Sequence, residues 1–353
     1  MGNLMQGKKK LGINGIGRIG KLNLWQHINA GHFEAFVINT GRKVGQKVED
    51  IIDYLVKDST YGSLDRFLYG FSGKKAELKV VDEEQNIFSI NGIPVKVLTS
   101  ARNPRDINWA REGVQLVVEC TGTYIDPAAP ADQPKGSARG HLEAGAEKVI
   151  ISAPFKIADN AQKMPADSAM FVYGVNHDKY DPQAHHLISA ASCTTTGLAH
   201  MIKPLLETKE TAQIVTASMS TVHAATNNQN ILDAVPKSGA KDLRKSRSVF
   251  NNIILTTTGA ARALEEILPQ IKSIGFMADS VRIPTNTASL IMLNVTFKTK
   301  LDETGEPQLN RYLLNDIYRK AAEGAQKSMV LFSEKQNVSA DIIGNPAAIV
   351  IEG

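Results

Sequence analysis

Cysteine and histidine supply the side chains here best suited to covalent and proton-transfer chemistry near neutral pH. Both are scarce, with two cysteines, Cys120 and Cys193, and eight histidines in 353 residues. Cys193 stands in Ala191-Ser192-Cys193-Thr194-Thr195-Thr196-Gly197, directly before a run with helical spacing. A sulfur at a helix N-terminus faces unpaired backbone N–H groups, which lower a thiol pKa and can hold the oxygen of an addition intermediate. That is the setting of a nucleophilic thiolate. Such a thiolate needs a base, and a candidate is His223, thirty residues on at the end of the strand-like stretch Gln213–Val222. A helix out and a strand back fit within that distance, although spacing alone does not separate His223 from the other histidines. The competing reading of either cysteine is an inert, buried thiol.

The second chemical feature is Gly15-Ile16-Gly17-Arg18-Ile19-Gly20, a G-x-G-x-x-G between a predicted strand, Leu11–Asn14, and a predicted helix, Arg18–Ala30. The first glycine permits the tight turn, the second lets backbone approach a pyrophosphate, and the third allows close helix–strand packing, while the helix N-terminus favours the anion. A nicotinamide dinucleotide site usually carries an acid about 20 residues further on. Here the second strand closes on Val37-Ile38-Asn39, and Thr40-Gly41-Arg42-Lys43 follows. Without a carboxylate there is no repulsion of a 2′-phosphate, and Arg42 or Lys43 can pair with one. The cofactor is therefore expected to be NAD or NADP, with NADP accepted; otherwise the two cations are ordinary solvated loop charges.

These residues need a frame. The strand, turn and helix followed by the apolar run Glu34–Asn39 make a βαβ opening. Val114–Glu119, Lys148–Ser152 and Phe171–Val175 read as further buried strands, so the first half is doubly wound. Asp126–Gly140, with three prolines, reads as a surface insertion incidental to chemistry. After Ser192 the pattern changes to a helix at Thr195–Glu207, longer strands at Ala212–His223, Ala278–Val281 and Ala288–Lys298, and a helix at Leu309–Ser328. The expected fold is α/β, a Rossmann-type doubly wound dinucleotide-binding domain at 8–192 joined to an α+β catalytic domain with a mainly antiparallel sheet at 193–353.

Length alone favours two domains. Apolar residues at 42% and charged residues at 22% are the mixture of an ordinary globular chain. A net charge of +4 is too small and too scattered to point to nucleic acid or a membrane surface. No apolar run approaches the roughly 20 residues of a bilayer span. Two cysteines exclude a disulfide framework and favour a reducing compartment, so the cytoplasm is expected, and no metal is.

At this point the sequence resembles a known family, the phosphorylating glyceraldehyde-3-phosphate dehydrogenases, from about Lys10 to its end. The resemblance is carried by Asn14-Gly15-Ile16-Gly17-Arg18-Ile19-Gly20, Lys57-Asp58-Ser59-Thr60-Tyr61-Gly62, Glu119-Cys120-Thr121-Gly122, Gly174-Val175-Asn176-His177-Asp178, Ala191-Ser192-Cys193-Thr194-Thr195, Thr221-Val222-His223-Ala224 and Arg282-Ile283-Pro284-Thr285. It implies that Arg18 and Ile19 meet the cofactor pyrophosphate and that Arg102, Thr121 and Ser152 line the rest of the groove. It implies that Cys193 is the nucleophile and His223 the base, that Thr226 and Arg282 hold the substrate's phosphate, and that Ser192, Thr194, Thr258 and Gly259 shape the site for attacking inorganic phosphate. Cys193 would add to the aldehyde, the hemithioacetal would pass a hydride to the nicotinamide, and phosphate would cut the thioester to an acyl phosphate. The implied partners are a phosphorylated small-molecule aldehyde and inorganic phosphate, the implied assembly is a homotetramer, and Cys120 would be a small structural residue on the cofactor side.

Four departures qualify the resemblance. The acid after the second strand is missing. The segment Thr194-Thr195-Thr196-Gly197-Leu198-Ala199-His200 follows the nucleophile where the family usually has Asn, Cys and a closing Pro, and Lys245 stands where the family usually has an Arg near the attacking phosphate, keeping the charge but losing the fork. Finally, the chain stops at Ala347–Gly353, short of the strand, the Asn-bearing motif and the last helix of the family, and a fragment is expected. Two other readings stay open: an erythrose-4-phosphate-type or non-phosphorylating aldehyde dehydrogenase, and a dinucleotide-binding redox sensor in which Cys193 is oxidised instead of turning over.

Overall fold

The structure, a computed structural model, describes residues 5–159 and 161–353. It divides into two compact units, one made of the chain up to Phe171 together with Tyr180–Ala191, the other of Val172–Lys179 together with Ser192–Gly353.

The first unit is built on parallel strands that lack a polar face. β1 (Lys10–Asn14) and β2 (Ala35–Asn39) are almost wholly buried, as strands covered on both sides must be. Between them α1 (Arg18–Ala30) buries Gly20, Leu24, Trp25 and Ile28, one stripe at helical spacing, and stops at Gly31, whose φ of 65° a side chain would resist. The remaining strands of the main sheet are β3 (Leu78–Asp82), β4 (Ile87–Ile90), β5 (Ile93–Leu98), β6 (Leu116–Glu119), β7 (Lys148–Ile151), β8 (Ser168–Met170) and β9 (Leu187–Ser189). They form a nine-stranded sheet in the order β8-β9-β7-β6-β1-β2-β5-β4-β3, parallel except for the β5-β4-β3 meander. The order reverses at β1, whose register sets Asn14 beside Asn39 on one flank and beside Glu119 on the other.

Two expectations are corrected here. The strand expected at Phe171–Val175 lies earlier, at Ser168–Met170. Phe171 still bonds Ser189, but the Val172 N–H turns to the Asn176 side chain at 2.8 Å and Gly174 takes a φ of 80°, which ends the ladder. The insertion at 126–140 is not wholly superficial either, because Gly136, Ser137, Ala138 and Gly140 are buried and Arg139 grips Asp167 through two bonds.

In the second unit, α2 (Cys193–Glu207) begins two residues earlier than its periodicity alone indicated, because Ser192 caps it: the Thr195 N–H donates to Ser192 Oγ at 3.0 Å. The sheet is β11 (Ile254–Thr256), β12 (Gly275–Ile283), β10 (Ile214–Ala224) and β13 (Ser289–Phe297), adjacent in that order. β10 and β12 run parallel and the other two pairings are antiparallel, a mixed and largely antiparallel sheet. Its inner face carries Ala217, Met219 and Thr221, all buried. The final helix, α3 (Arg311–Glu323), is shorter than the apolar pattern, ending where the Gly324 N–H returns to Lys320. None of the described helices is long and apolar enough to cross a membrane.

Candidate active site

In the first unit an open groove of about 280 Å³ lies at the carboxyl ends of β1, β2 and β6, where the sheet order reverses and ligands of such folds bind. Its wall brings together Gly15, Asn39, Thr40, Arg42, Arg102 and Thr121 of the expected cofactor residues. Gly15 has a φ of 91°, and a Cβ there would press on Thr121. A Cβ on Gly20 would strike the Gly15 carbonyl, so helix and turn pack as closely as the motif requires. A Cβ on Gly17 would meet no protein atom within 4 Å, the opening that a pyrophosphate at the start of α1 needs. The groove fits a dinucleotide.

Other cofactor residues sit off this wall. Arg18 donates to Thr60 Oγ1 at 2.8 Å and pairs with Asp58, while Ile19 is exposed, an apolar residue left at the first turn of α1. Ser152 donates to the Glu119 carbonyl at 3.0 Å. At the end of β2, Thr40 Oγ1 donates to the Arg42 carbonyl at 2.6 Å, and Arg102 Nε donates to the Gly41 carbonyl, so two cations and no acid stand on that part of the wall.

Beneath the groove is a buried network that motif reasoning did not single out. Both oxygens of Glu119 accept: Oε1 from the Thr121 N–H and hydroxyl at 2.6 and 2.5 Å, Oε2 from Asn14 Nδ2 at 2.5 Å and from His141 Nε2 at 3.0 Å. The indole N–H of Trp109 can only donate, at 2.9 Å to His141 Nδ1, and this fixes the His141 proton on Nε2. Asn39 Nδ2 donates to Asn14 Oδ1 at 2.8 Å, and Asn39 Oδ1 is buried without a partner among the described residues. The available signal was a polar residue as the last member of each buried strand, aligned by register. Tyr124 and Thr123, also on the wall, carried none.

In the second unit Cys193 is the first residue of α2, and its Sγ lies 3.2 Å from His223 Nε2. The residue is open to solvent, yet the protein around the sulfur is close enough that burial pushes the thiol pKa up. The hydrogen bond of His223, its charge whenever the ring is protonated, and Thr194 together outweigh this and hold the thiol below the ordinary 9.0. Cys120 is the contrast, a thiol packed against the core and pushed up by burial to about 12. His223 and Arg282 are register partners on β10 and β12, so their side chains leave the sheet on one face. Arg282 Nη1 touches His223 Nδ1 and donates to the Ala224 carbonyl at 2.9 Å, leaving its buried Nε unpaired.

His223 is thus in direct contact with both Cys193 and Arg282. The other expected anion-site residues bond within their own segments. Ser192 caps α2 and meets Thr195, Thr226 bonds Gln229 at 2.9 and 3.0 Å, and Thr258 Oγ1 accepts from the Ala260 N–H beside Gly259. Lys245 is exposed on a short turn, Leu243–Ser246. Among the described residues no group of three or more His, Cys, Asp or Glu side chains could hold a metal.

A dinucleotide groove in one unit and a paired thiol and imidazole in the other define an NAD-linked oxidoreductase that works through cysteine. Residues 9–127 match the glyceraldehyde 3-phosphate dehydrogenase NAD binding domain and residues 192–353 the C-terminal domain of the same family. A glyceraldehyde-3-phosphate dehydrogenase of Geobacillus stearothermophilus is 37% identical over 350 residues, covering 97% of this chain and 87% of the relative. One from Streptomyces coelicolor is 36% identical over 346 residues, covering 97% and 88%. A cytosolic one from Chlamydomonas reinhardtii is 33% identical over 350 residues, covering 99% and 87%. The chain belongs to the glyceraldehyde 3-phosphate dehydrogenase family.

Proposed function

We propose that the chain oxidises glyceraldehyde 3-phosphate, with inorganic phosphate as acyl acceptor, to an acyl phosphate. The observation that supports this best is the 3.2 Å contact between Cys193 Sγ and His223 Nε2 at the capped start of α2, with Arg282 against the same imidazole. The Cys193 thiolate adds to the aldehyde carbon, forming a C–S bond as the carbonyl π bond opens, and the resulting oxygen takes a proton from solvent water. His223 takes the proton of the hemithioacetal hydroxyl, a transfer commonly worth about 10² to 10⁴ in rate. A bound nicotinamide dinucleotide supplies the acceptor for the hydride that leaves the same carbon. Inorganic phosphate then attacks the thioester and releases the thiolate. Arg282 and Thr226 hold the phosphate of the substrate; Ser192, Thr194, Lys245, Thr258 and Gly259 shape the place of the attacking phosphate.

Gly15, Gly17, Arg18, Ile19 and Gly20 receive the cofactor's pyrophosphate, and Asn39, Thr40, Arg42, Arg102, Thr121 and Ser152 the remainder. The two arginines and the missing acid support use of NADP beside NAD. The outer face of the second unit's sheet leaves Leu255, Met277, Leu290 and Met292 uncovered, which supports assembly with copies of itself, as a homotetramer. The name of the cytosolic relative and the two unpaired thiols support work in the cytoplasm.

The test is reduction of NAD or NADP by glyceraldehyde 3-phosphate with and without inorganic phosphate. Sustained turnover should require phosphate. Turnover that ignores its omission would replace this reading by a non-phosphorylating one.

A further inference from the structure

His223 Nδ1 has two neighbours with opposite demands. The Ala224 carbonyl oxygen, 3.0 Å away, can only accept and so calls for a proton on Nδ1. Arg282 Nη1, in contact with the same nitrogen, can only donate and so calls for a lone pair there. Both cannot be satisfied by one state of the ring. Arg282 is also incompletely bonded among the described residues, with its Nε buried and unpaired, and its Nη1 donates to the Ala224 carbonyl.

The two solutions differ in what the ring can do. With Arg282 on Nδ1 the single ring proton sits on Nε2 and points at Cys193 Sγ, 3.2 Å away. That form donates to the sulfur and supports the thiolate. It cannot act as a base, because Nε2 already holds a proton and the guanidinium blocks the lone pair on Nδ1. With Arg282 drawn off, Nδ1–H bonds the Ala224 carbonyl and Nε2 has a free lone pair. A proton arriving at Nε2 then makes an imidazolium whose Nδ1–H is already paired.

We propose that Arg282 is a substrate-operated switch of the His223 tautomer: in the free protein it keeps the ring as a donor to the thiolate, and capture of Arg282 by the substrate's phosphate turns the ring into the base. This rests on the reading that Arg282 receives that phosphate. The proton balance closes, because the ring gives its Nε2 proton to solvent water and takes one at Nδ1 from solvent water when Arg282 leaves, staying neutral throughout. The later proton at Nε2 comes from the hemithioacetal hydroxyl. The phosphate of the substrate is thereby read in the chemical step as well as in binding.

The experiment is nitrogen NMR on the full chain with ring-labelled histidine, the His223 signals being those that vanish in His223→Asn. In the free protein Nε2 should be protonated and Nδ1 not. Saturation with sn-glycerol 3-phosphate, which carries the phosphate and no aldehyde, should reverse the two. A ring in the same protonation state in both samples, or one protonated on both nitrogens in the free protein, overturns the switch. A second measurement uses Arg282→Ala, in which Nδ1 is free at all times. Its kcat/KM on glyceraldehyde 3-phosphate should fall by about a hundredfold or more, whereas on unphosphorylated glyceraldehyde it should rise by about tenfold. A parallel fall on both aldehydes overturns the proposal. If the parent chain does not oxidise glyceraldehyde 3-phosphate at all, the proposed function fails instead, and the NMR reversal still decides the behaviour of the ring.

Discussion

Glu119 in the first unit and His223 in the second each sit at or next to the end of a strand, and each meets partners on neighbouring strands, but their hydrogen bonds are settled differently. Around Glu119 every partner is a donor and every donor has a single role: the Trp109 indole fixes His141, His141 and Asn14 fill one oxygen, and Thr121 fills the other. The carboxylate is thereby satisfied in a single arrangement, which suits a groove that must hold a large cofactor without rearranging. Around His223 an acceptor and a donor compete for one nitrogen, and the buried Arg282 Nε has no partner. Unresolved demand is costly in a scaffold and useful where a proton has to move.

The contrast can be broken most sharply in the second unit. His223→Asn should lower kcat by about 10² to 10⁴ while leaving the NAD dissociation constant, read by fluorescence titration, within about twofold. It should also move the pH dependence of Cys193 alkylation. His223 holds the thiol below its ordinary value, so the parent reacts at a pH where a free thiol is still protonated, and the variant's inflection should shift upward. An unmoved inflection would mean that the helix start, and not the imidazole, activates the sulfur.

In the first unit, Glu119→Gln keeps the shape but turns one accepting oxygen into an N–H₂ facing side chains and backbone that donate to it in the parent. Loss of about 3 kcal/mol of stability on denaturant unfolding is expected, with weaker NAD binding and unchanged Cys193 alkylation. Full retention of stability and cofactor affinity would show that the network has the same slack as the His223 site. Arg42→Ala should reduce the preference ratio of NADP to NAD in kcat/KM by about fivefold, the effect of one exposed charge. An unchanged ratio would leave the loop cations as solvated charges.

The smallest effect concerns His200, fully buried in α2 with Nδ1 accepting from Gln326 at 2.6 Å. Burial lowers its pKa from the ordinary 6.5. The unfolded chain therefore binds a proton more readily than the folded one, and the stability due to the neutral ring is complete above pH 6.5 and lost as pH falls below it. Unfolding midpoints of the parent and His200→Gln should converge as pH is lowered from 7.5 to about 5.5. Parallel curves would assign the acid sensitivity elsewhere.

Much of this was legible because it is local. Strand β1, the glycine turn and α1 follow from a switch between two periodicities within about twenty residues, and the Ser192 cap places Cys193 at a helix start whatever lies around it. The strand misplaced at Phe171–Val175 shows the limit. Its apolar residues read as a strand, but a side-chain bond from Asn176 and the left-handed backbone at Gly174 decide that it turns.

By itself the sequence determined the family, the doubly wound opening, the nucleophile and the absence of an acid after the second strand, since each is a matter of residue types at short spacing. Only the tertiary structure decided which histidine faces the thiol, because the thirty residues between Cys193 and His223 can close in many ways until β10 pairs with β12. The same pairing sets Arg282 beside His223 from 59 residues away. It likewise took the parallel alignment of three strand ends to turn Asn39, Asn14 and Glu119, the last two 105 residues apart, into one buried network. Register is a property of paired backbones, and no stretch of sequence read alone contains it.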